Sequence, residues 1–313
     1  MNAFRRIAVI GSGVMGHGIA LVCARGGASV TLVDVSPDAL SQAEAKLRAA
    51  MRQLADNGLA PEDDVEPVLE RIAFSTDMAA GVRGAELIFE AVPERLPLKR
   101  AVYGQLETCC GPDAIFASNT SGIPINTLAA LTGRPERFVG THFFMPAHLI
   151  PLVEVVRGDQ TRADVVGAVM AFLSGAGKSP VHVRRDIPGF IGNRLQHALA
   201  REAMSLVQQG VARAEDVDTV VKTSLAVRLL FTGPIEQRDF NGLDTHLSIA
   251  EYLYPLLEDT KKPLPLLADR VAAGELGIKT GKGFFDWTGK DVVAVQDAKN
   301  QHLIDVLKLL AAG

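Results

Sequence analysis

Short apolar runs alternate with helix-length amphipathic stretches through the first half of the chain. Ile7-Ala8-Val9-Ile10 reads as a buried strand, and helical periodicity follows from Met15 to Arg25. Ser29 to Asp34, rich in Val and Thr, predicts a second strand. Pro37 then opens a helix at a position where its missing N–H costs nothing. Further strands are predicted at Ile72–Phe74, Leu87–Glu90, Ile115–Ala117, Phe138–Phe143, Leu152–Val156 and Val181–Val183. Strands separated by helix-length segments imply βαβ units, hence an α/β fold with a doubly wound, mainly parallel sheet and helices on both faces.

The texture changes after Asp186-Ile187-Pro188-Gly189. From Phe190 to about Leu257 the periodicity is helical, with Ile191, Leu195, Ala198 and Leu199 on one face and Val217, Val220 and Val221 on another. The Pro-Gly pair therefore marks the expected boundary between residues 1–186 and an all-α C-terminal domain, 187–313. One more amphipathic helix is expected over 291–308, with Leu303, Val306, Leu307 and Leu310 together.

Composition narrows the class. Of the 313 residues 48% are apolar and 22% charged, which is globular rather than disordered or fibrous. Lys plus Arg total 32 against 36 Asp plus Glu, a net charge of −4 that offers no footprint for nucleic acid. Cys23, Cys109 and Cys110 have neither disulfide-framework nor metal-ligand spacing, so free thiols and no metal are expected. Gly11, Gly13, Gly16 and His17 interrupt the apolar stretch after Arg5-Arg6, which argues against a secretory leader. No membrane helix is expected, and the expectation is a cytoplasmic protein.

The chemistry starts at Gly11-Ser12-Gly13-Val14-Met15-Gly16, a G-x-G-x-x-G between a strand and a helix. The first glycine permits a tight turn, the second lets a pyrophosphate approach the backbone, and the third lets helix and strand pack closely. The helix start offers unpaired N–H groups to the phosphates. Asp34, 18 residues beyond Gly16, stands where a carboxylate accepts from ribose hydroxyls and repels a 2′-phosphate. The expected cofactor is NAD, ahead of NADP and FAD.

His142 and Glu154 form the second constellation. The runs 138–143 and 152–156 flank a proline-bounded connection; folded back about His148, they place His142 opposite Glu154. A carboxylate inside Leu-Val-Glu-Val-Val is costly to bury without a partner, although an exposed edge-strand glutamate reads the same way in sequence. A neutral imidazole takes the proton when a secondary alcohol loses hydride, and a neighbouring carboxylate orients the ring and stabilises the imidazolium.

With those residues in view, the chain resembles the 3-hydroxyacyl-CoA dehydrogenase family from Arg6 to about Trp287. The likeness lies in GSGVMGHGIA (11–20), EAVPERLPLK (90–99), ASNTSG (117–122), THFFMPAHLIPLVEVVRG (141–158), DIPGFIGNR (186–194) and GIKTGKGFF (277–285). The resemblance implies a Rossmann-like domain followed by a helical domain that forms a homodimer. It implies His142 as catalytic base, Glu154 as its partner, Ser121 on the substrate oxygen and Asn193 near the substrate. It puts Glu94, Lys99, Asn119 and Lys279 among the cofactor-contacting residues, with the glycine loop and Asp34. Each has a plainer reading: Ser121 and Asn119 as caps of a helix beginning near Ile123, Asn193 as a polar surface residue, Lys99 and Lys279 as solvated charges.

Three departures bear on the substrate. Met145 stands where the family's HFFNP has asparagine, and Gly122 replaces a common second serine. Ala50 and Asn57 fall where acyl-CoA members carry a serine and a lysine on CoA, beside the acidic Asp56, Glu62, Asp63, Asp64 and Glu66. The resemblance implies NAD-dependent interconversion of a 3-hydroxyacyl-CoA and its 3-oxo form. The alternative is a CoA-free hydroxy acid, as in gulonate, carnitine or pyridine-derivative dehydrogenases; a non-catalytic NAD-binding protein is a third reading. The β-hydroxyacid dehydrogenases, which use a helical lysine, leave the His–Glu pair unexplained.

Overall fold

In the first strand, β1 (Arg6–Ile10), Ile7 and Val9 enter one apolar cluster while Ala8 and Ile10 enter another. That period of two requires cover on both faces of a sheet. The computed structural model describes residues 4–312. β1 is followed by α1 (Gly16–Arg25), β2 (Ser29–Val33), α2 (Pro37–Asp56), α3 (Val65–Leu69), β3 (Ile72–Ser75), α4 (Met78–Gly81) and β4 (Leu87–Glu90). Then come α5 (Leu96–Cys109), β5 (Ile115–Ser118), α6 (Ile125–Ala129), β6 (Phe138–Phe143), β7 (Leu152–Val156), α7 (Ala163–Gly175) and β8 (Ser179–Val183).

Local chemistry explains the boundaries. In α2, Ser36 Oγ accepts from the Ala39 N–H at 3.2 Å and Pro37 occupies the first turn. Leu40, Ala43, Leu47, Ala50, Met51 and Leu54 then recur on its buried face.

The eight strands run in the order β3-β2-β1-β4-β5-β6-β7-β8, parallel throughout except for β6 against β7. The chain runs outward from β1 to β3 and then returns to β4 on β1's other side. Such a reversal, beyond the carboxyl ends of β1 and β4, is the usual ligand position in sheets of this kind. The sheet, the mainly parallel pairing and the helical second half agree with the sequence reading.

Compact units divide a few residues beyond the Pro188-Gly189 turn. The first compact unit runs to Asn193 and resumes at His302; the second is Arg194–Gln301. Backbone hydrogen bonding extends the first unit: Glu154 Oε1 accepts the Ile191 and Gly192 N–H groups, each at 2.8 Å, and Phe190 is fully buried. The C-terminal stretch joins that unit because Ile304 is fully buried in the cluster holding Leu47, Met51 and Leu54. Leu310, expected on the apolar face, is exposed.

The second unit holds most of α8 (Gly192–Gln208), α9 (Ala214–Val220), α10 (Ala226–Leu229), α11 (Glu236–Asn241), α12 (Leu243–Leu253), α13 (Pro265–Ala272) and the start of α14 (Val292–Ala312). Within it Ser205 Oγ donates to Glu258 at 2.9 Å, and Arg201 donates to the Thr260 carbonyl at 3.1 Å. Isolated bridges join Gly277 to Lys282 and Lys282 to Asp286. Among the described residues no helix is long and apolar enough to cross a membrane.

Candidate active site

The glycine loop is built so that little but backbone can line it. Gly11 follows β1 at φ +96°, its N–H donating to the Val33 carbonyl at 2.8 Å; a Cβ there would lie 2.9 Å from the Ala91 carbonyl oxygen. A Cβ on Gly16 would sit 1.7 Å from the Gly11 carbonyl oxygen, so the first turn of α1 closes on the loop only with glycine. Gly13 faces open space, Val14 is exposed and Met15 is half-buried. His17 Nδ1–H donates to the Gly13 carbonyl at 2.7 Å.

Asp34 braces this loop. Its Oδ2 accepts both the N–H and the hydroxyl of buried Ser12, each at 2.8 Å, and its Oδ1 accepts the Ser36 N–H at 3.1 Å. Partial burial alone would raise its pKa. The donors from Ser12, Ser36 and Val35 outweigh burial and hold the carboxyl below its ordinary range. A charged carboxylate at the end of β2, beside a bare N–H-lined turn, fits the ribose and pyrophosphate of NAD.

The antiparallel pairing of β6 and β7 sets His142 directly opposite Glu154. Imidazole Nδ1 lies 2.8 Å from Glu154 Oε2, and the residues are 6% and 1% exposed. Glu154's other oxygen takes the two N–H groups of Ile191 and Gly192. Burial pushes its pKa up, but the His142 hydrogen bond and those backbone donors more than offset this and hold it below the usual carboxylate range. An anion at Oε2 requires the ring proton on Nδ1, which leaves Nε2 as acceptor. Phe144 and Phe190 flank the ring at 4.4 and 5.8 Å between centroids. Phe190 adopts φ +49°, a strained conformation for a bulky residue.

The remaining predicted residues divide into those that join this pair and those that do not. Asn119 Oδ1 accepts the Phe143 N–H at 2.9 Å, tying the end of β5 to the residue after His142. Ser121 is exposed; its carbonyl accepts Asn193 Nδ2 at 2.8 Å and its N–H donates to Glu94 at 3.1 Å. Neither Asn119 nor Ser121 caps a helix, since α6 begins at Ile125 with no side-chain cap. Lys99 is not the solvated charge of its plainer reading: it is 1% exposed, with Nζ 2.7 and 2.9 Å from the Glu90 carboxylate and 3.2 Å from Glu94. Its donors are committed inside the protein. Lys279 is exposed in the second unit and joins none of these bonds.

Sequence reasoning missed the backbone donors of Ile191 and Gly192, and it missed Glu90, Tyr103, Ser118 and Thr120. Glu90 carried a usable signal, a carboxylate closing the apolar strand Leu-Ile-Phe-Glu.

A glycine loop at the strand reversal, braced by Asp34, stands in the same doubly wound sheet as a buried imidazole–carboxylate pair. Residues 6–187 match the NAD-binding domain of 3-hydroxyacyl-CoA dehydrogenase and residues 189–287 match its C-terminal domain, so the chain belongs to the 3-hydroxyacyl-CoA dehydrogenase family. It is 38% identical to the 5-formyl-3-hydroxy-2-methylpyridine 4-carboxylate 5-dehydrogenase of Mesorhizobium japonicum, over 98% of each chain. It is 39% identical to a probable 3-hydroxybutyryl-CoA dehydrogenase of Bacillus subtilis, over 91% of this chain and 98% of that one. A solved structure of the pyridine-carboxylate dehydrogenase, an NAD+-dependent dismutase, superposes with a TM-score of 0.93 at 37% identity over 98% of both chains.

Proposed function

We propose that this NAD-dependent oxidoreductase interconverts a secondary alcohol and its carbonyl through His142 and Glu154, on a hydroxy acid that carries no CoA. The observation that carries the chemistry is the 2.8 Å contact between His142 Nδ1 and a Glu154 carboxylate pinned by two backbone donors. In the oxidative direction Nε2 takes the hydroxyl proton and the Glu154 anion stabilises the imidazolium. NAD, when bound, accepts the hydride. The exposed Ser121 hydroxyl hydrogen-bonds the reacting oxygen, and the second Asn193 amide hydrogen turns to the same atom. Glycines 11, 13 and 16, Ser12 and Asp34 hold the cofactor.

The absence of CoA is supported by the last helix. Of the two positions that the resemblance assigns to CoA contact, Ala50 is buried in the core, and Asn57 receives Lys308 Nζ at 3.4 Å. Likeness to the pyridine-carboxylate enzyme covers 98% of the chain at a TM-score of 0.93, against 0.69 for a 3-hydroxyacyl-CoA dehydrogenase of Archaeoglobus fulgidus that covers 99%. Free aromatic and aliphatic 3-hydroxy or keto acids are expected to support NAD reduction or NADH oxidation, read by absorbance. Micromolar acetoacetyl-CoA is expected not to; its turnover would return the substrate to a hydroxyacyl-CoA.

Exposed Leu195, Phe231, Phe240, Leu247 and Leu256 on the second unit support a homodimer. Sedimentation of the purified chain is expected to give twice the single-chain mass, and a monomer at micromolar concentration would oppose it.

A further inference from the structure

Glu90 closes β4 and is 1% exposed, with every hydrogen-bonding direction in use. Its Oε1 accepts the Val92 N–H at 2.9 Å and Lys99 Nζ at 2.7 Å. Its Oε2 accepts Lys99 at 2.9 Å, the Tyr103 hydroxyl at 2.7 Å and the Ser118 hydroxyl at 2.7 Å. Lys99 and Tyr103 are i and i+4 on α5, so one helix face presents both donors. Ser118 is Glu90's parallel-strand partner on β5. Burial and the Glu90 charge raise the Tyr103 pKa well above its ordinary value, so the phenol stays a donor.

Lys99 also reaches Glu94, and Glu94 Oε1 gathers the next turn. It accepts the Thr120 hydroxyl, the Ser121 N–H at 3.1 Å and the Gly122 N–H at 3.3 Å. The bonds thus run without a gap from Tyr103 and Glu90 through Lys99 and Glu94 to the backbone of Ser121. Stability does not require such a network, because a buried ion pair replaced by well-packed apolar side chains is often neutral or stabilising. A fixed cation does something apolar packing cannot: it holds the Glu94 carboxylate at one place above the β4 and β5 ends.

We propose that Glu90, Lys99 and Tyr103 are positioning residues, which act through Glu94 to hold the Thr120–Gly122 turn so that the Ser121 hydroxyl meets the reacting oxygen. This rests on the Ser121 role proposed above. A displacement of about 1 Å in such a group can cost about 10²-fold in rate.

A double-mutant cycle on the full-length protein tests it. Lys99→Met and Ser121→Ala are each expected to lower kcat by about 10- to 100-fold, and the double variant to fall no more than about threefold below the worse single. NADH affinity, read by fluorescence, is expected to stay within about twofold in Lys99→Met. Multiplying losses would overturn the inference, since the lysine would then act independently of Ser121. NADH affinity falling in step with kcat would overturn it too, by returning Lys99 to the cofactor. Wild-type turnover in Ser121→Ala would strike at the Ser121 role itself and remove this inference with it. If Lys99→Met does not fold, Tyr103→Phe deletes one donor while keeping the ring, and the same cycle with Ser121→Ala applies.

Discussion

His142→Ala is expected to lower kcat by about 10²- to 10⁴-fold while NADH affinity changes by no more than about threefold. The asymmetry follows from where the residue sits. His142 lies on β6, two strands from β4, whereas the cofactor loop is built on β1, α1 and the end of β2. Removing the imidazole deletes the acceptor for the hydroxyl proton and leaves the Asp34–Ser12 brace and the three glycines as they are. Glu154 keeps both backbone donors in the variant, so its charge is not stranded and the fold is expected to persist by circular dichroism. The reaction then depends on solvent as base. Turnover equal to wild type would refute the base assignment.

The fold was legible in the sequence because period and length carried it. Leu87–Glu90, Phe138–Phe143 and Leu152–Val156 coincide with observed strands, since each is a short apolar run bounded by loop-forming residues. The His142–Glu154 register was legible for a local reason: a connection of eight residues bounded by prolines leaves few ways to fold one strand back on the next. What stayed hidden depends on contacts between elements distant in sequence. Lys99 on an amphipathic helix reads the same whether its ammonium meets water or a buried glutamate, and only the β1-β4-β5 order brings α5 over Glu90 and Ser118. The reach of the first compact unit to Asn193 stayed hidden for a similar reason. Pro188-Gly189 marks a turn, but the backbone N–H groups beyond it belong to Glu154, and a periodicity argument assigns no owner to an N–H group.

Glu154 gives the sharper test, because two substitutions at one position separate orientation from stability. In Glu154→Gln the N–H groups of Ile191 and Gly192 still require an acceptor, so the amide oxygen takes the Oε1 place and the NH2 turns toward His142. Nδ1 must then accept, the ring proton moves to Nε2, and the atom needed to receive the substrate proton is blocked. A wrong tautomer in an otherwise intact site lowers kcat by about 10⁴-fold in the serine-protease triad, so a loss of about 10²- to 10⁴-fold is expected here. Thermal stability near neutral pH is expected to change little by comparison. Glu154→Ala instead leaves the imidazole Nδ1–H and two part-buried backbone N–H groups without their acceptor, and a buried donor left unpaired costs about 1–3 kcal/mol. Acid titration adds an independent readout. The folded pKa of Glu154 lies below its unfolded value of about 4.3, so its contribution is fully present above that pH and is lost as the pH falls through the lower, folded value. Glu154→Gln removes this arm, and its unfolding free energy is expected to fall less steeply with acid than that of wild type. A glutamine variant that turns over within about threefold of wild type would show that the carboxylate does not set the tautomer of His142.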